Sequence, residues 1–141
     1  MSAAPSRALL REFRWPALWC GLWLVMIAIV ITTCLLPARD LPPPPFSNFD
    51  KIEHFTAYLG LATYAGMLFA RMRSQALAVA GLIAMGIGLE YAQATLTDSR
   101  SGDAIDALAN SLGALTGWFV ARTPVALWLQ RVEGVIAPAR R

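Results

Sequence analysis

The chain has 141 residues, 57% of them hydrophobic and only 15% charged, and its mean hydropathy is +0.51. A soluble domain carries charge on about a quarter of its residues, so this balance argues against a water-soluble enzyme and for one integral membrane unit. The formal net charge of +3 comes with no basic stripe interleaved with aromatics, which argues against a nucleic-acid partner.

The apolar content is gathered into blocks. A basic tail with Arg7, Arg11 and Arg14 precedes a charge-free run from Trp15 to Ala38, long enough to span a bilayer. Trp15, Trp19 and Trp23 cluster at its start, where an aromatic belt would lie. Cys20 and Cys34 share this run; on a helix they are about 21 Å apart, out of disulfide reach, so both read as structural thiols in an uncleaved anchor. A linker follows from Arg39 to Phe49. Its four prolines, Pro42 to Pro45, form an extended rod about 12 Å long that can lay Phe46–Phe49 across the membrane surface.

A second span is expected from Asp50 to Ala70, and its opening, DKIEHFTAY, sets Lys51, His54 and Tyr58 on one helical face with Glu53 pointing away. The third, Gln75 to Ala94, carries Ala80, Ala84 and Gly88 for close packing, and Glu90 and Gln93 near its end. A loop through Arg100 leads to a fourth, Asp103 to Ala121. In this last helix Asp106, Asn110, Gly113 and Gly117 recur at four, three and four residues, opposite Leu108, Leu112, Leu115 and Phe119. One face suits lipid; the other offers polar groups and small residues to a neighbouring helix, within the chain or in a homo-oligomer. The tail from residue 122 contains an amphipathic stretch, Val125 to Ile136, expected to lie on the membrane surface.

The flanking charges orient the spans. Arg7, Arg11, Arg14, Arg71, Arg73, Arg122, Arg131, Arg140 and Arg141 fall on one side of a four-span arrangement, and only Arg39, Lys51 and Arg100 on the other. The positive-inside rule then makes both termini cytoplasmic. The expected fold is therefore all-α, an integral membrane bundle of four transmembrane helices in one domain, residues 1–141. The polar residues of spans two, three and four converge at the outer end: Lys51, His54, Tyr58, Glu90, Gln93, Arg100, Asp103, Asp106 and Asn110. Polar groups at membrane depth are costly and usually mark a site.

These residues resemble the pattern of the VanZ-like family of small bacterial membrane proteins. The family pattern is Asp-Lys-x-x-His-x-x-x-Tyr on one span, Glu-x-x-Gln on the next, then Arg, Asp, Asp, Asn and Gly into the last. It is matched by Asp50, Lys51, His54 and Tyr58, by Glu90 and Gln93, and by Arg100, Asp103, Asp106, Asn110 and Gly113, over residues 50–117. The resemblance implies a protein of the bacterial plasma membrane linked to the cell envelope, in a family named for resistance to the glycopeptide teicoplanin. It supplies no reaction.

Three functions compete. The reading preferred from sequence is a binding site for an anionic lipid headgroup, a cell-wall precursor or a glycopeptide, with Lys51, Tyr58, Gln93, Arg100, Asp103 and Asn110 as recognition groups. The second is a membrane enzyme doing acid-base hydrolysis or group transfer on an envelope lipid. There His54, the only histidine, acts as general base, and Glu90 and Asp106 orient it. The third is a small oligomeric transporter or flippase. His54, Glu90, Asp103 and Asp106 also have the chemistry of a divalent-ion site, but ion pairing with Arg100 and Lys51 explains the same residues, and neither metal nor cofactor is assigned from sequence.

Overall fold

The computed structural model describes residues 8–37, 40–96 and 102–137. Five α-helices follow in order: α1 (Pro16–Leu35), α2 (Phe49–Leu68), α3 (Met72–Leu96), α4 (Ala104–Val120) and α5 (Trp128–Ile136). The described residues form no β-strand, only an isolated antiparallel bridge between Leu10 and Phe69. The all-α expectation holds.

Local chemistry sets the boundaries. Pro16 opens α1, where its missing N–H is not needed, and α1 stops short of Pro37. The proline rod ends in Asn48, whose φ of 63° is left-handed and tolerated by this side chain, and α2 begins at the next residue. Asp103 caps α4 by accepting the Ile105 N–H at 2.8 Å. The expected surface stretch 125–136 is divided into a 3₁₀ turn, Pro124–Leu127, and α5.

α2 is the hub. His54, Tyr58, Leu61, Ala62, Ala65 and Leu68 are all buried along it, and α4 packs on it over its whole length. Gly113 and Gly117 of α4 lie directly on the carbonyl oxygens of Phe55 and Leu59, where any Cβ would collide with backbone. The opposite face of α4, with Leu108, Leu112, Leu115 and Phe119, is exposed, as lipid contact requires. Val79 and Leu82 of α3 close one core with Tyr58, Leu61, Ala62 and Ala114. α1 is peripheral, with only 11% of its most apolar window buried.

This arrangement qualifies the four-span expectation. α1 and α3 are long and apolar enough to cross a membrane, with mean hydropathies of 2.3 and 1.4. α4 reaches that standard only together with the segment Pro124–Ile136, from which it is bent by 77°. Two helices, or three with the bent pair, therefore qualify by length and composition. α2 does not qualify because Asp50, Lys51, Glu53 and His54 open it. A helix screened by its neighbours need not be apolar all round.

The end of the bundle that holds the N-terminal segment is closed by a second cluster, Trp19, Met67, Leu68 and Leu129. Arg11 donates its N–H to the Leu68 carbonyl at 2.8 Å, and Ala70 donates to Leu9 at 3.0 Å. Glu133 of α5 is buried here and accepts from the N–H groups of Arg14 (2.7 Å) and Trp15 (3.0 Å) and from the Trp19 indole (2.7 Å). Burial pushes its carboxyl up, but these donors outweigh burial and hold it below the ordinary glutamate value. The expected tryptophan belt is thereby corrected. Trp19 is buried against α5 and Trp23 donates to the Leu61 carbonyl at 3.0 Å, because each indole N–H finds a partner inside; only Trp15 stays exposed.

Candidate functional site

At the opposite end, the first turns of α2 and α4 and the last turns of α3 come together. Lys51 reaches across from α2 and places its ammonium 2.8 Å from Asp106 Oδ1, 2.9 Å from Asp103 Oδ2 and 3.1 Å from Asp50 Oδ2. Asp103, ahead of the first turn of α4, is held below the usual carboxylate range first by this ammonium and then by the Ile105 N–H. The expectation that Lys51 presents its charge to an anionic ligand meets a different geometry: the charge is spent on three aspartates of the chain itself.

One turn deeper, His54 is buried between Asn110 and Asp106. Its Nδ1 lies 3.0 Å from Asn110 Oδ1 and its Nε2 lies 3.9 Å from Asp106 Oδ2. The Nδ1 contact with Asn110 turns Nε2 towards Asp106. Glu90 enters from α3, and its Oε2 accepts the Asp103 N–H at 3.1 Å. Gly86, one turn before Glu90, admits Asn110 and Tyr58 to the same layer: a Cβ there would lie 2.9 Å from Asn110 Cβ and 3.2 Å from Tyr58 Cε1. One ligating atom each from His54, Glu90 and Asp106 falls within 4.8 Å of the others, and all three side chains are buried.

Three buried polar atoms of this layer, Tyr58 Oη, Glu90 Oε1 and Asn110 Nδ2, have no hydrogen-bond partner among the described residues. Buried polar groups are nearly always satisfied, so these atoms are where a ligand would engage. A cavity of about 330 Å³ reaches Tyr58 and His54 of this layer, between α1, α2 and the proline linker. Val30, Cys34, Leu41, Pro42 and Ala57 form its apolar walls, and Asp50, Glu53, His54 and Tyr58 its polar side. A second hollow of about 430 Å³ continues it under Pro42–Pro45 and Phe49. Cys34 thus lines a pocket as well as packing.

The structure brings Lys51, His54, Tyr58, Glu90, Asp103, Asp106 and Asn110 into one cluster. Gln93 sits apart: its Nε2 donates to the Cys34 carbonyl at 2.7 Å and ties the end of α1 to α3. Arg100 lies outside the described residues. Glu53 is exposed as expected, yet it lines both hollows, so it is not a bystander. Sequence reasoning missed the cavity, which is lined by α1, read as an anchor, and by the proline linker, read as a rod that lays Phe46–Phe49 across the membrane surface. The one available signal was that four prolines hold the chain stiffly beside the first turn of α2.

Comparison with curated proteins and with solved structures gave no match. A family model does match, and it extends well beyond the motif core at residues 50–117, taking in α1 and the turn before α5. Residues 10–128 fit the model described as VanZ/LLP1, and the chain is a member of that family.

Proposed function

We propose that this membrane protein of the cell envelope holds the polar headgroup of an envelope amphiphile, a lipid or lipid-linked wall precursor, at the outer ends of α2, α3 and α4. The observation that carries the reading is the cavity: apolar walls from α1 and the linker lead to a polar side at His54 and Tyr58, the shape a chain-plus-headgroup ligand needs. In this reading α1 to α4 each cross the plasma membrane, both termini are cytoplasmic, and α5 lies against the cytoplasmic face. The arginine asymmetry supports that orientation.

Two experiments test it. Single cysteines at Ser47 and Arg73, introduced after Cys20 and Cys34 are removed, are probed with an impermeant thiol reagent in intact cells whose outer barrier has been permeabilised. Position 47 labels and 73 does not; the reverse pattern sinks the orientation. For binding, the protein is extracted in a membrane-patch polymer and the retained lipid is identified by mass spectrometry. Val30→Trp, which fills the cavity from the lipid-facing helix, removes a lipid that wild type retains. An unchanged lipid complement overturns the reading.

A second reading is favoured by His54 alone. A buried imidazole whose Nδ1 is held by Asn110 and whose Nε2 is turned towards the Asp106 carboxylate has the placement of a general base. An enzyme would turn over envelope lipid in reconstituted vesicles and lose turnover, but not lipid retention, in His54→Gln.

A further inference from the structure

The acids of this site outnumber the bases around them. Among the described side chains, Asp50, Asp103, Asp106 and Glu90 face one lysine, and Lys51 is already 2.8–3.1 Å from all three aspartates. Glu90 is the exception: only 6% of it is exposed, it makes no ion pair among the described residues, and its Oε1 has no hydrogen-bond partner there. A buried carboxylate without a counter-charge is among the costliest arrangements in a protein. Either a proton or a bound cation relieves that cost, and the neighbouring ligand atoms suit a cation.

We propose that His54, Glu90 and Asp106 form a binding site for a divalent transition-metal ion. The three residues stand on three different helices, α2, α3 and α4, so the site is held by rigid elements. Their ligating atoms lie within 4.8 Å of one another, and bonds near 2.1 Å to a tetrahedral ion set ligand atoms about 3.4 Å apart. Side-chain rotation closes that difference. The atoms that remain are the right ones. His54 Nδ1 is engaged by Asn110, and Nε2 is the nitrogen placed for the ion; Lys51 engages Asp106 Oδ1, leaving Oδ2 on the side of His54; Glu90 Oε2 accepts from Asp103 N, leaving Oε1. Such outer partners orient metal ligands. An imidazole in the set disfavours magnesium and calcium, which take oxygen ligands, and suits zinc or manganese. With three protein ligands, the fourth position faces a ligand or water. Resting on the headgroup reading, the ion would also supply the positive charge that Lys51 cannot offer a phosphate.

The test uses the full chain, purified in lipid-free detergent without chelator, loaded with zinc chloride and desalted. Elemental analysis should find close to one zinc per chain in wild type and in Glu12→Gln, an exposed acid at the other end. Glu90→Gln and Asn110→Ala should each weaken zinc binding at least tenfold. X-ray absorption of the wild-type zinc complex should show an oxygen and nitrogen shell with one imidazole. Failure of wild type to retain zinc or manganese overturns the site, as does a sulfur ligand from Cys20 or Cys34, or full retention by Glu90→Gln. If Glu90→Gln aggregates, the wild-type absorption spectrum decides alone. Because no lipid is present, failure here leaves the headgroup reading standing, and a metal-loaded protein that retains no lipid fails only that reading.

Discussion

Lys51 shows how one side chain can decide the charge state of a whole layer. It bridges two helices and the residue that caps one of them, and its partners range from the buried Asp106 to the half-buried Asp50 and Asp103. Removing a partner from a buried ion pair costs about 3–5 kcal/mol and from an exposed one 0–1 kcal/mol. Lys51→Met is therefore expected to cost roughly 2–3 kcal/mol, read as a lower thermal midpoint in detergent. The double variant Lys51→Met/Asp106→Asn should recover part of that loss, because it also removes the stranded carboxylate. If the two losses simply add, the pair is not coupled and the bridge has little weight. The sequence already placed Lys51, His54 and Tyr58 on one face and Asp106 and Asn110 on another, since helical spacing is local information. It could not say that Lys51 would be neutralised from within, because that depends on how far α4 slides along α2.

That slide is set by the helices themselves. Gly113 and Gly117 bring α4 onto the backbone of α2, as the four-three-four spacing of Asp106, Asn110, Gly113 and Gly117 led one to expect. Gly113→Leu must displace backbone rather than a flexible side chain, and should cost more than about 3 kcal/mol. Leu115→Ala, on the exposed face, should stay within about 0.5 kcal/mol. Equal thermal midpoints for Gly113→Leu and wild type would contradict the packing. α5 was legible as an amphipathic stretch but not as a clasp. Its single buried acid, Glu133, accepts from Arg14, Trp15 and Trp19, partners more than a hundred residues away that no local pattern announces. Because Glu133 has a carboxyl value lowered on folding, its contribution is complete above the ordinary glutamate value and is lost as pH falls through the lower, folded value. The stability gap between wild type and Glu133→Gln should therefore be widest at neutral pH and shrink in acid. A gap that holds constant into strong acid would show that the carboxylate's charge plays no part.

At the scale of the molecule, the two ends are built for different tasks. One is tied shut by the N-terminal segment, α5 and Glu133; the other keeps polar atoms unsatisfied among the described residues, in a layer whose His54 and Tyr58 line a cavity with apolar walls. Between them α2 has a long buried face and yet is not apolar enough to cross a membrane alone. The sequence revealed the apolar blocks, because hydropathy is read residue by residue. It did not reveal that the second block would be shielded on several sides, which is a property of assembly. Under the four-span reading this has a consequence for biogenesis. A nascent α2 released singly into lipid would carry Lys51 and His54 without Asp103, Asp106 and Asn110, which, with the glycines that receive α2, are synthesised some fifty residues later. The insertion machinery must retain α2 until α4 emerges, and the bundle enters the bilayer as a paired unit. Chains truncated before Gly102 should accordingly leave α2 extractable from the membrane by alkaline carbonate once it is severed from α1, and extension through Val120 should anchor it.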